Sequence, residues 1–211
     1  MKKFMRSLIK LFSTVKNIDQ KLDERQIENI KLRSEKKTDL QRWQNDDQLY
    51  RDWDERTILL ASYIKPRASI IEFGAGNMIL KNYLDNYKIY IPTDIVARFN
   101  ETVVCDLNQG VISAVKKCDT AVFSGVLEYV YDINKVFEEL GPTIKQIVLS
   151  YCCTDIVKLS RDKNGWLSDY TKSDLEEIFK KYNFEIINYA EWRKQSIFNL
   201  IKKSNTSGSQ N

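Results

Sequence analysis

One short segment combines a carboxylate with two glycines directly after an apolar run. Glu72 lies near the end of that run, and Gly74, Ala75 and Gly76 follow it after one aromatic residue. Glycines at the end of a strand permit a tight turn and let a ligand approach the backbone, because no Cβ atom stands in the way. The segment therefore predicts a ligand-binding turn, with a purely structural turn as the alternative.

Two aspartates follow later apolar runs. Asp94 comes 22 residues after Glu72, at the end of the next run, and Asp106 ends the run after that. A carboxylate at the first of these places can accept hydrogen bonds from both hydroxyls of a ribose. A carboxylate at the second can accept a hydrogen bond from an adenine amino group. The order of the two acids predicts a nucleoside-binding site.

A fourth apolar run opens into a polar loop that contains the candidates for catalysis. Ser124 and Gly125 end the run, and Glu128 and Tyr129 follow. Because the chain contains no histidine, a general base has to be a carboxylate or a Tyr, Lys or Cys side chain. Glu128 is the first candidate, with positioning of a ligand as its alternative role. The further candidates, with helix capping or core packing as alternatives, are Tyr129, Asp132 and Tyr151.

Short apolar runs and helical segments alternate from residue 68 onward, which is typical of βαβ units. The predicted strands are 68–73, 88–93, 102–105, 119–124 and 146–152, with a closing pair at 184–190 and 196–202. The predicted helices are 77–86, 110–116, 132–140 and 171–182. The sequence therefore predicts an α/β fold with a Rossmann-like, mostly parallel sheet flanked by helices. Ligands bind such sheets beyond the carboxyl ends of the strands, where the polar segments lie.

In this order, the glycine turn, the two aspartates and the Ser-Gly loop resemble the motifs of the class I S-adenosylmethionine-dependent methyltransferases, in particular the small type 11/12 group. The resemblance covers residues 66–155 well and 165–202 loosely. It implies S-adenosyl-L-methionine as the cofactor and methyl transfer as the activity. Independently of the resemblance, no metal site is predicted, because the chain has neither a CxxC pair nor a histidine.

The resemblance also implies cofactor contacts. The glycine turn would face the methionine part, Asp94 the ribose hydroxyls and Asp106 the adenine amino group. The backbone of Leu107 would contact the adenine ring, and the backbone of Ser124 and Gly125 the methionine amino group. The residues assigned to the cofactor are Glu72, Gly74, Ala75, Gly76, Asp94, Ile95, Asp106, Leu107, Ser124 and Gly125.

Two positions depart from the family's pattern. Met78 stands where the family's turn often has a third glycine, and Tyr129 stands where many relatives have a histidine. Residues 126–129 would border the acceptor pocket, so the second departure falls there. Methyl transfer tolerates the absence of a base, because the sulfonium cofactor is already activated and the step depends largely on proximity and orientation.

The chain is predicted to have three parts: a helical N-terminal extension at 1–64, a methyltransferase domain at 65–203 and a disordered tail at 204–211. Apolar residues at helical spacing alternate with Lys and Arg over residues 1–16, which predicts a basic amphipathic helix. Such a helix either contacts a membrane surface peripherally or packs against the body or a partner chain.

The rest of the extension is predicted to be helical, and whether it covers the active site stays open. Residues 19–47 read as a solvated helix or connector without chemistry, because their apolar residues are sparse. Trp43, Tyr50 and Trp53 are candidates for a lid over the cofactor, with ordinary core packing as the alternative.

Composition and charge limit the partners. The net charge of +4 is small, and no aromatic-plus-basic motif occurs, so a nucleic-acid partner is not predicted. The four cysteines lack metal-site spacing and fit a reducing compartment. No apolar stretch approaches the roughly 20 residues of a membrane span. The expected location is the cytoplasm, with the inner membrane surface as the alternative, and the oligomeric state stays open.

The predicted acceptor is a small molecule or a sugar or glycolipid that is methylated on oxygen. Family members with basic amphipathic N-terminal helices resemble enzymes of cell-surface polysaccharide synthesis, which favours that role. Two other functions stay open: a noncatalytic cofactor-binding or adaptor protein, and an NAD-dependent oxidoreductase. The oxidoreductase is less favoured because Ile79 stands where the GxGxxG pattern needs its last glycine, although Tyr131 and Lys135 have YxxxK spacing.

Overall fold

The structure, a computed structural model, describes residues 22–204. The predicted basic helix within residues 1–16 and the predicted tail beyond Ser204 lie outside the described residues. Within the described part, no helix is long and apolar enough to cross a bilayer.

Seven strands form one sheet. They are β1 (Ser69–Phe73), β2 (Ile89–Asp94), β3 (Val103–Val104), β4 (Thr120–Phe123), β5 (Gln146–Tyr151), β6 (Phe184–Trp192) and β7 (Gln195–Lys202). Their order across the sheet is β3-β2-β1-β4-β5-β7-β6. The first five strands pair in parallel, and β7 runs antiparallel between β5 and β6. The predicted Rossmann-like, mostly parallel sheet is confirmed.

The order of the strands creates a switch point between β1 and β4. The chain builds β2 and β3 on one side of β1 and then returns to add β4 and β5 on the other side. A crevice opens at the carboxyl ends of the strands where such an order reverses. The central strands β4 and β5 are buried along their whole length, because layers of helix or turn cover both faces of the sheet.

Six α-helices are present in the described residues. They are α1 (Glu24–Glu35), α2 (Leu40–Trp43), α3 (Asp54–Ala61), α4 (Ile133–Leu140), α5 (Arg161–Asn164) and α6 (Lys172–Lys181). Helix α6 begins with a capping box, in which Thr171 Oγ1 accepts from the Asp174 N–H at 3.1 Å and Asp174 Oδ2 accepts from the Thr171 N–H at 2.8 Å. Asp132 caps α4 by accepting from the Lys135 N–H at 3.1 Å. The predicted helices at 132–140 and 171–182 are thus present.

Two predicted helices are wrong. Residues 77–86 form only a 3₁₀ turn at Ile79–Tyr83, and residues 110–116 give way to another at Ser113–Lys117. Neither turn begins with a side-chain cap, and Met78 before the first has a left-handed φ of 57° that interrupts a helical path. The predicted strand at 102–105 shortens to the two residues of β3.

The sheet separates two apolar layers. The larger layer contains Phe73, Phe123 and Phe137 and packs α4 and α6 against one face. The smaller layer contains Leu60 and Leu80 and packs α3 and the 3₁₀ turn Ile79–Tyr83 against the other face. These layers fix the strand ends that carry the polar segments.

The solvated helix predicted within residues 19–47 is α1, and most of its residues are exposed, but one face packs on the body. Asn29 is fully buried, and its Nδ2 donates to Asp162 Oδ1 at 3.1 Å and to the Trp166 carbonyl at 3.3 Å. Arg33 forms an ion pair with Asp169. Because polar groups are buried when they are satisfied by partners, a segment with few apolar residues still docks on the body here.

Candidate functional site

A cavity of about 480 Å³ lies at the carboxyl ends of β1, β2 and β4, at the switch point of the sheet. Its walls come from two regions. We call residues 72–76, 94–95, 106–107 and 124–129 the strand-end wall, and residues 38–57 the N-terminal cover. All ten residues predicted to contact a cofactor line this first cavity: Glu72, Gly74, Ala75, Gly76, Asp94, Ile95, Asp106, Leu107, Ser124 and Gly125. The structure thus brings the four polar segments together.

The glycine turn needs glycine at its first position for two reasons. Gly74 has a φ of +69°, and a Cβ atom there would lie 2.3 Å from Val126 Cγ2. Gly76 also has a left-handed φ, of +49°, but a Cβ atom there would only touch Leu49 Cδ2 at 3.5 Å. Met78, at the place of the family's third glycine, adopts a left-handed φ as well. The turn therefore keeps a glycine-like path at Met78 without a glycine, at a cost of about 1–2 kcal/mol.

Glu72 is a buried carboxyl group at the floor of the first cavity. Its side chain is on β1, the residue is 2% exposed, and its Oε2 accepts a hydrogen bond from the Tyr90 hydroxyl. Burial raises the pKa of Glu72 to about 8, against the opposing effect of the Tyr90 hydrogen bond. Near neutral pH the carboxyl group of Glu72 therefore favours its protonated form.

Asp94 is held in place by the glycine turn. Its Oδ2 accepts from the Gly76 N–H at 2.9 Å, and its Oδ1 accepts from the Val96 N–H at 3.1 Å. Arg98 Nη1 lies 3.5 Å from Oδ1, and Arg98 also donates to the Trp43 carbonyl. A carboxylate with two oxygens has about four acceptor sites, so free sites remain toward the first cavity. Arg98, which the sequence did not single out, connects the strand-end wall to the N-terminal cover.

Asp106 contacts the N-terminal cover. Thr38 Oγ1 donates to it, lying 2.9 and 2.8 Å from the two carboxylate oxygens, and the Asn108 N–H donates to Oδ1 at 3.0 Å. Asn108 Nδ2 in turn donates to Thr38 Oγ1 at 2.9 Å and to the Tyr129 carbonyl at 3.1 Å. The acid predicted to face adenine is thus already part of a hydrogen-bond network that fastens the cover.

Ser124 contacts an arginine that sequence reasoning missed. Arg56 is 5% exposed; its Nε donates to Ser124 Oγ at 3.1 Å and its Nη2 to the Ser124 carbonyl at 3.0 Å. Burial lowers the pKa of this guanidinium, and the charge of Glu128 opposes that effect. Arg56 also lies over the Trp53 ring at 5.5 Å from its centroid.

A signal for Arg56 was present in the sequence. Arg56 and Thr57 occupy the i+3 and i+4 positions after Trp53, with Leu60 and Ala61 at i+7 and i+8. This stripe is the buried face of α3, so two polar residues on it must have partners inside the protein. Thr57 Oγ1 lies 2.8 Å from Ser124 Oγ, which supplies that partner.

Glu128 lies in a second cavity, of about 410 Å³, next to the first. The residue is 1% exposed, and its Oε1 accepts from the Cys152 N–H at 2.8 Å. Its Oε2 has no hydrogen-bond partner among residues 22–204. A buried carboxylate oxygen with a free acceptor site can accept a proton from a ligand hydroxyl. The two cavities share Trp53, Arg56, Gly125 and Tyr129, so a group in one can reach a group in the other.

Tyr129 lines both cavities and is unsuited to act as a base. Burial raises the pKa of its hydroxyl, so this group keeps its proton near neutral pH. Its ring packs edge-on against Trp43, with 4.8 Å between centroids, and Arg42 lies 5.3 Å from its centroid. In this arrangement Tyr129 holds α2 in place.

The remaining base candidates have structural roles. Tyr151 is fully buried and contacts Ser168 at 3.0 Å, and burial raises the pKa of its hydroxyl. Asp132 caps α4. All four cysteines are buried and free, and burial raises the pKa of the Cys153 thiol to about 11. Because these other groups have structural roles or keep their protons, Glu128 stays the first candidate for the general base.

The YxxxK pair lies away from both cavities. The Tyr131 hydroxyl donates to the Leu32 and Lys37 carbonyls, each at 2.8 Å. Lys135 Nζ lies 4.0 Å from Glu139 on the surface of α4. Because neither group lines the first cavity, the pair offers no proton relay to a nicotinamide held there.

No family model matches this chain, and no curated protein matches it in sequence. Its fold is similar to that of the 1,6-didemethyltoxoflavin-N1-methyltransferase of Burkholderia thailandensis, solved with bound 1,6-didemethyltoxoflavin and S-adenosylhomocysteine (13% identity, TM-score 0.57, covering 89% of this chain and 94% of that one).

Two further solved structures have the same architecture. The N-methyltransferase NodS of Bradyrhizobium japonicum, solved with S-adenosylhomocysteine, is 10% identical, with a TM-score of 0.54 over 73% of this chain and 87% of that chain. A methyltransferase of Aquifex aeolicus that depends on S-adenosylmethionine is 12% identical, with a TM-score of 0.52 over 70% and 89%. At these identities the similarity concerns the fold, and this chain has the class I methyltransferase fold.

Proposed function

We propose that this chain is an S-adenosyl-L-methionine-dependent methyltransferase that methylates an oxygen atom of a small-molecule acceptor. One observation carries the proposal: the four strand ends of a class I methyltransferase fold meet in the first cavity with a glycine turn, two aspartates and a Ser-Gly loop. The same arrangement of strand ends binds nucleoside cofactors in open α/β sheets generally.

The first cavity fits this cofactor in size and chemistry. Its volume of about 480 Å³ lies within the usual range of ligand pockets, roughly 300–1,000 Å³. Asp94 offers buried acceptor sites for ribose hydroxyls, and the turn at Gly74 lets the backbone approach the ligand. Arg56 supplies a cation for the methionine carboxylate, and Glu72 can ionise to meet the amino group.

Bound S-adenosyl-L-methionine supplies a methyl group that is already activated for transfer. Within this chain, Glu128 Oε2 accepts the proton of the acceptor hydroxyl, and Tyr50 and Trp53 of the N-terminal cover exclude water from the cavities. The two aromatic rings pack edge-on with 4.9 Å between centroids. The shared wall at Gly125 and Tyr129 aligns the acceptor oxygen with the cofactor, which supplies most of the rate enhancement.

For the biological acceptor we propose a sugar hydroxyl, in a reaction of cell-surface polysaccharide synthesis at the inner membrane surface. The motive is the basic N-terminal sequence, which would attract anionic lipid headgroups. Sedimentation with anionic vesicles, comparing the full chain with a variant that lacks residues 1–16, tests the location. Equal sedimentation of the two proteins removes the motive.

A noncatalytic cofactor-binding or adaptor protein is the second candidate. The observation that favours it is that Asp106 and the carbonyl of Ser124, both predicted to contact the cofactor, already accept hydrogen bonds from Thr38 and Arg56. Such a protein would bind S-adenosylmethionine without transferring its methyl group. Transfer of a radiolabelled methyl group to any member of a panel of hydroxyl acceptors excludes this candidate.

Isothermal titration calorimetry with S-adenosylmethionine and with NAD tests the proposed cofactor. Asp94→Asn is expected to weaken S-adenosylmethionine binding by roughly tenfold to a hundredfold, because it removes a charged acceptor for the ribose hydroxyls. Asp119→Asn is the matched control, because Asp119 also accepts from a backbone N–H, that of Ser69 at 3.2 Å, but at the opposite end of the strands. Binding of NAD in preference to S-adenosylmethionine would overturn the proposal.

A further inference from the structure

The second cavity is strongly basic. Five cationic side chains and one carboxylate line it: Arg25, Arg42, Arg56, Lys163, Arg193 and Glu128. The five cations come from α1, α2, α3, α5 and the turn between β6 and β7, so no single run of basic sequence produces the charge. A protein with nearly balanced overall charge therefore concentrates positive charge around the proposed acceptor site.

Two of the five cations are neutralised by carboxylates. Arg25 Nη1 lies 2.5 Å from Asp39 Oδ2. Arg193 lies 2.6 Å from Asp52 and 3.2 Å from Glu55, at the exposed rim. These pairs account for their charges without a ligand.

The other three cations have no carboxylate oxygen within 4.0 Å among the described residues. They are Arg42, Arg56 and Lys163. Arg42 Nη1 donates to the carbonyl of Asn164 at 2.8 Å, while its buried Nε has no hydrogen-bond partner in residues 22–204. A buried cationic donor without a partner is costly, unless a ligand supplies an acceptor.

Arg42 and Lys163 belong to α2 and α5, whereas Arg56 belongs to α3 and Glu128 to the loop after β4, and of these four residues Arg56 also lines the first cavity. An acceptor held by its anion at α2 and α5 would direct another part of itself toward Glu128. This orientation suits a molecule that carries an anionic group and a hydroxyl group some distance apart. Guanidinium and ammonium groups bind phosphate and carboxylate oxygens with charge-assisted hydrogen bonds.

We propose that the second cavity is an acceptor subsite for an oxyanion, and that the acceptor is an anionic hydroxy compound bearing a phosphate or carboxylate group. The identification of the bound compound as the methyl acceptor rests on the proposed methyltransferase function. Anion binding in the second cavity does not depend on that function. In the transfer step the carbon–sulfur bond of the cofactor breaks with its electron pair on sulfur. A carbon–oxygen bond forms, and the hydroxyl proton passes to Glu128.

The test is calorimetric binding of inorganic pyrophosphate and of malonate to the full chain, which distinguishes phosphate from carboxylate preference. We expect one anion to bind with 1:1 stoichiometry in the millimolar range or tighter. Arg42→Gln and Lys163→Gln are each expected to weaken that binding by about fivefold to tenfold. Circular dichroism and thermal unfolding report whether each variant is folded.

Arg193→Gln is the matched control, because Arg193 lines the same cavity but is already paired with Asp52 and Glu55. It should change anion affinity by less than about twofold. Absence of 1:1 binding by both anions overturns the inference, and so does an Arg193→Gln loss equal to that of Arg42→Gln. S-adenosylmethionine binding is measured separately on the same proteins. Absence of S-adenosylmethionine binding by the wild-type protein would indicate a failure of the proposed function rather than of the anion site.

Discussion

The strand-end wall and the N-terminal cover surround the same cavities, but they are assembled differently. In the strand-end wall, Asp94 bonds to the Gly76 backbone only 18 residues away, within adjoining strand-to-turn units. In the cover, Thr38 reaches Asp106 and Arg56 reaches Ser124 across 68 residues each. The strand-end wall follows from the order of the strands, whereas the N-terminal cover depends on how a polar segment docks on the body.

This difference suggests a division of roles. The strand-end wall carries the groups proposed for the cofactor and for proton transfer, and two of the strands that position it, β1 and β4, are almost entirely buried. The cover contributes aromatic rings and the cations Arg42 and Arg56. We expect substitutions in the strand-end wall to abolish cofactor binding or catalysis. Substitutions in the N-terminal cover should alter closure of the cavities and selection of the acceptor.

The largest expected effect is that of Glu128→Gln. The amide oxygen still accepts from the Cys152 N–H, but the side chain no longer takes a proton, so kcat should fall by roughly 10²- to 10⁴-fold with cofactor affinity unchanged. Steady-state kinetics with an acceptor that the wild-type protein methylates measure kcat. Calorimetry with S-adenosylmethionine measures the cofactor affinity. Glu101→Gln, on an exposed pair with Lys81, is the control. An unchanged kcat would contradict the role of Glu128, and so of the strand-end wall, in proton transfer.

Gly74→Ala should have the next largest effect. The new Cβ atom would meet Val126 Cγ2 in a backbone conformation that already costs about 1–2 kcal/mol for alanine. Gly76→Ala carries the conformational cost without the close contact, so it separates the two causes. Thermal unfolding and S-adenosylmethionine calorimetry should both show the greater loss for Gly74→Ala. Equal losses would mean that the close approach to Val126 is relieved by movement of that side chain.

The pH dependence of stability tests the buried carboxyl group of Glu72. Its pKa is about 8 in the folded chain and near 4.5 when unfolded, so between these values only the folded state holds the proton. Stability should therefore fall as pH rises through this window, by up to a few kcal/mol. Urea unfolding at pH 5.5 and 8.5 should show this fall in wild type and less of it in Glu72→Gln. A variant with the same pH dependence as wild type contradicts the assignment to Glu72.

The smallest expected effect is that of Thr38→Val, a change in the cover. It removes the hydroxyl that bonds to Asp106 and Asn108, so residues 24–43 should exchange their amide hydrogens faster, while β1 and β4 remain protected. Hydrogen exchange with mass spectrometry measures both regions at once. Ser34→Ala is the control, because the Ser34 hydroxyl bonds to the Lys31 carbonyl at 2.8 Å within α1 itself. Faster exchange throughout the sheet would show that the cover supports the fold as a whole.

Much of the strand-end wall could be predicted from local sequence. Apolar runs that end in Glu72, Asp94, Asp106 or Ser124 identify strands whose carboxyl ends must meet at one side of a parallel sheet. Helix capping was also readable, at Thr171 and at Asp132. The short 3₁₀ turns after β1 and β3 were not, because propensity does not report the left-handed backbone of Met78.

The N-terminal cover was largely hidden from sequence reasoning. Most of its polar residues do not lie on a periodic apolar stripe of a helix. Their hydrogen-bond partners at Asp106, Asn164 and Ser124 are distant in the chain. Three aromatic residues of the cover, Trp43, Tyr50 and Trp53, were candidates for a lid, and all three line the first cavity. Among its polar residues, only Arg56 and Thr57, on the buried stripe of α3, left a signal in the sequence.

The sequence by itself determined the sheet and the set of groups at its strand ends, because apolar periodicity and glycine turns act over a few residues. Only the tertiary structure decided that five cations distant in sequence line one cavity with a buried carboxylate and that Thr38 bonds to Asp106. Charge pairing and hydrogen bonding between remote segments depend on distances in space, which no local pattern of residues records.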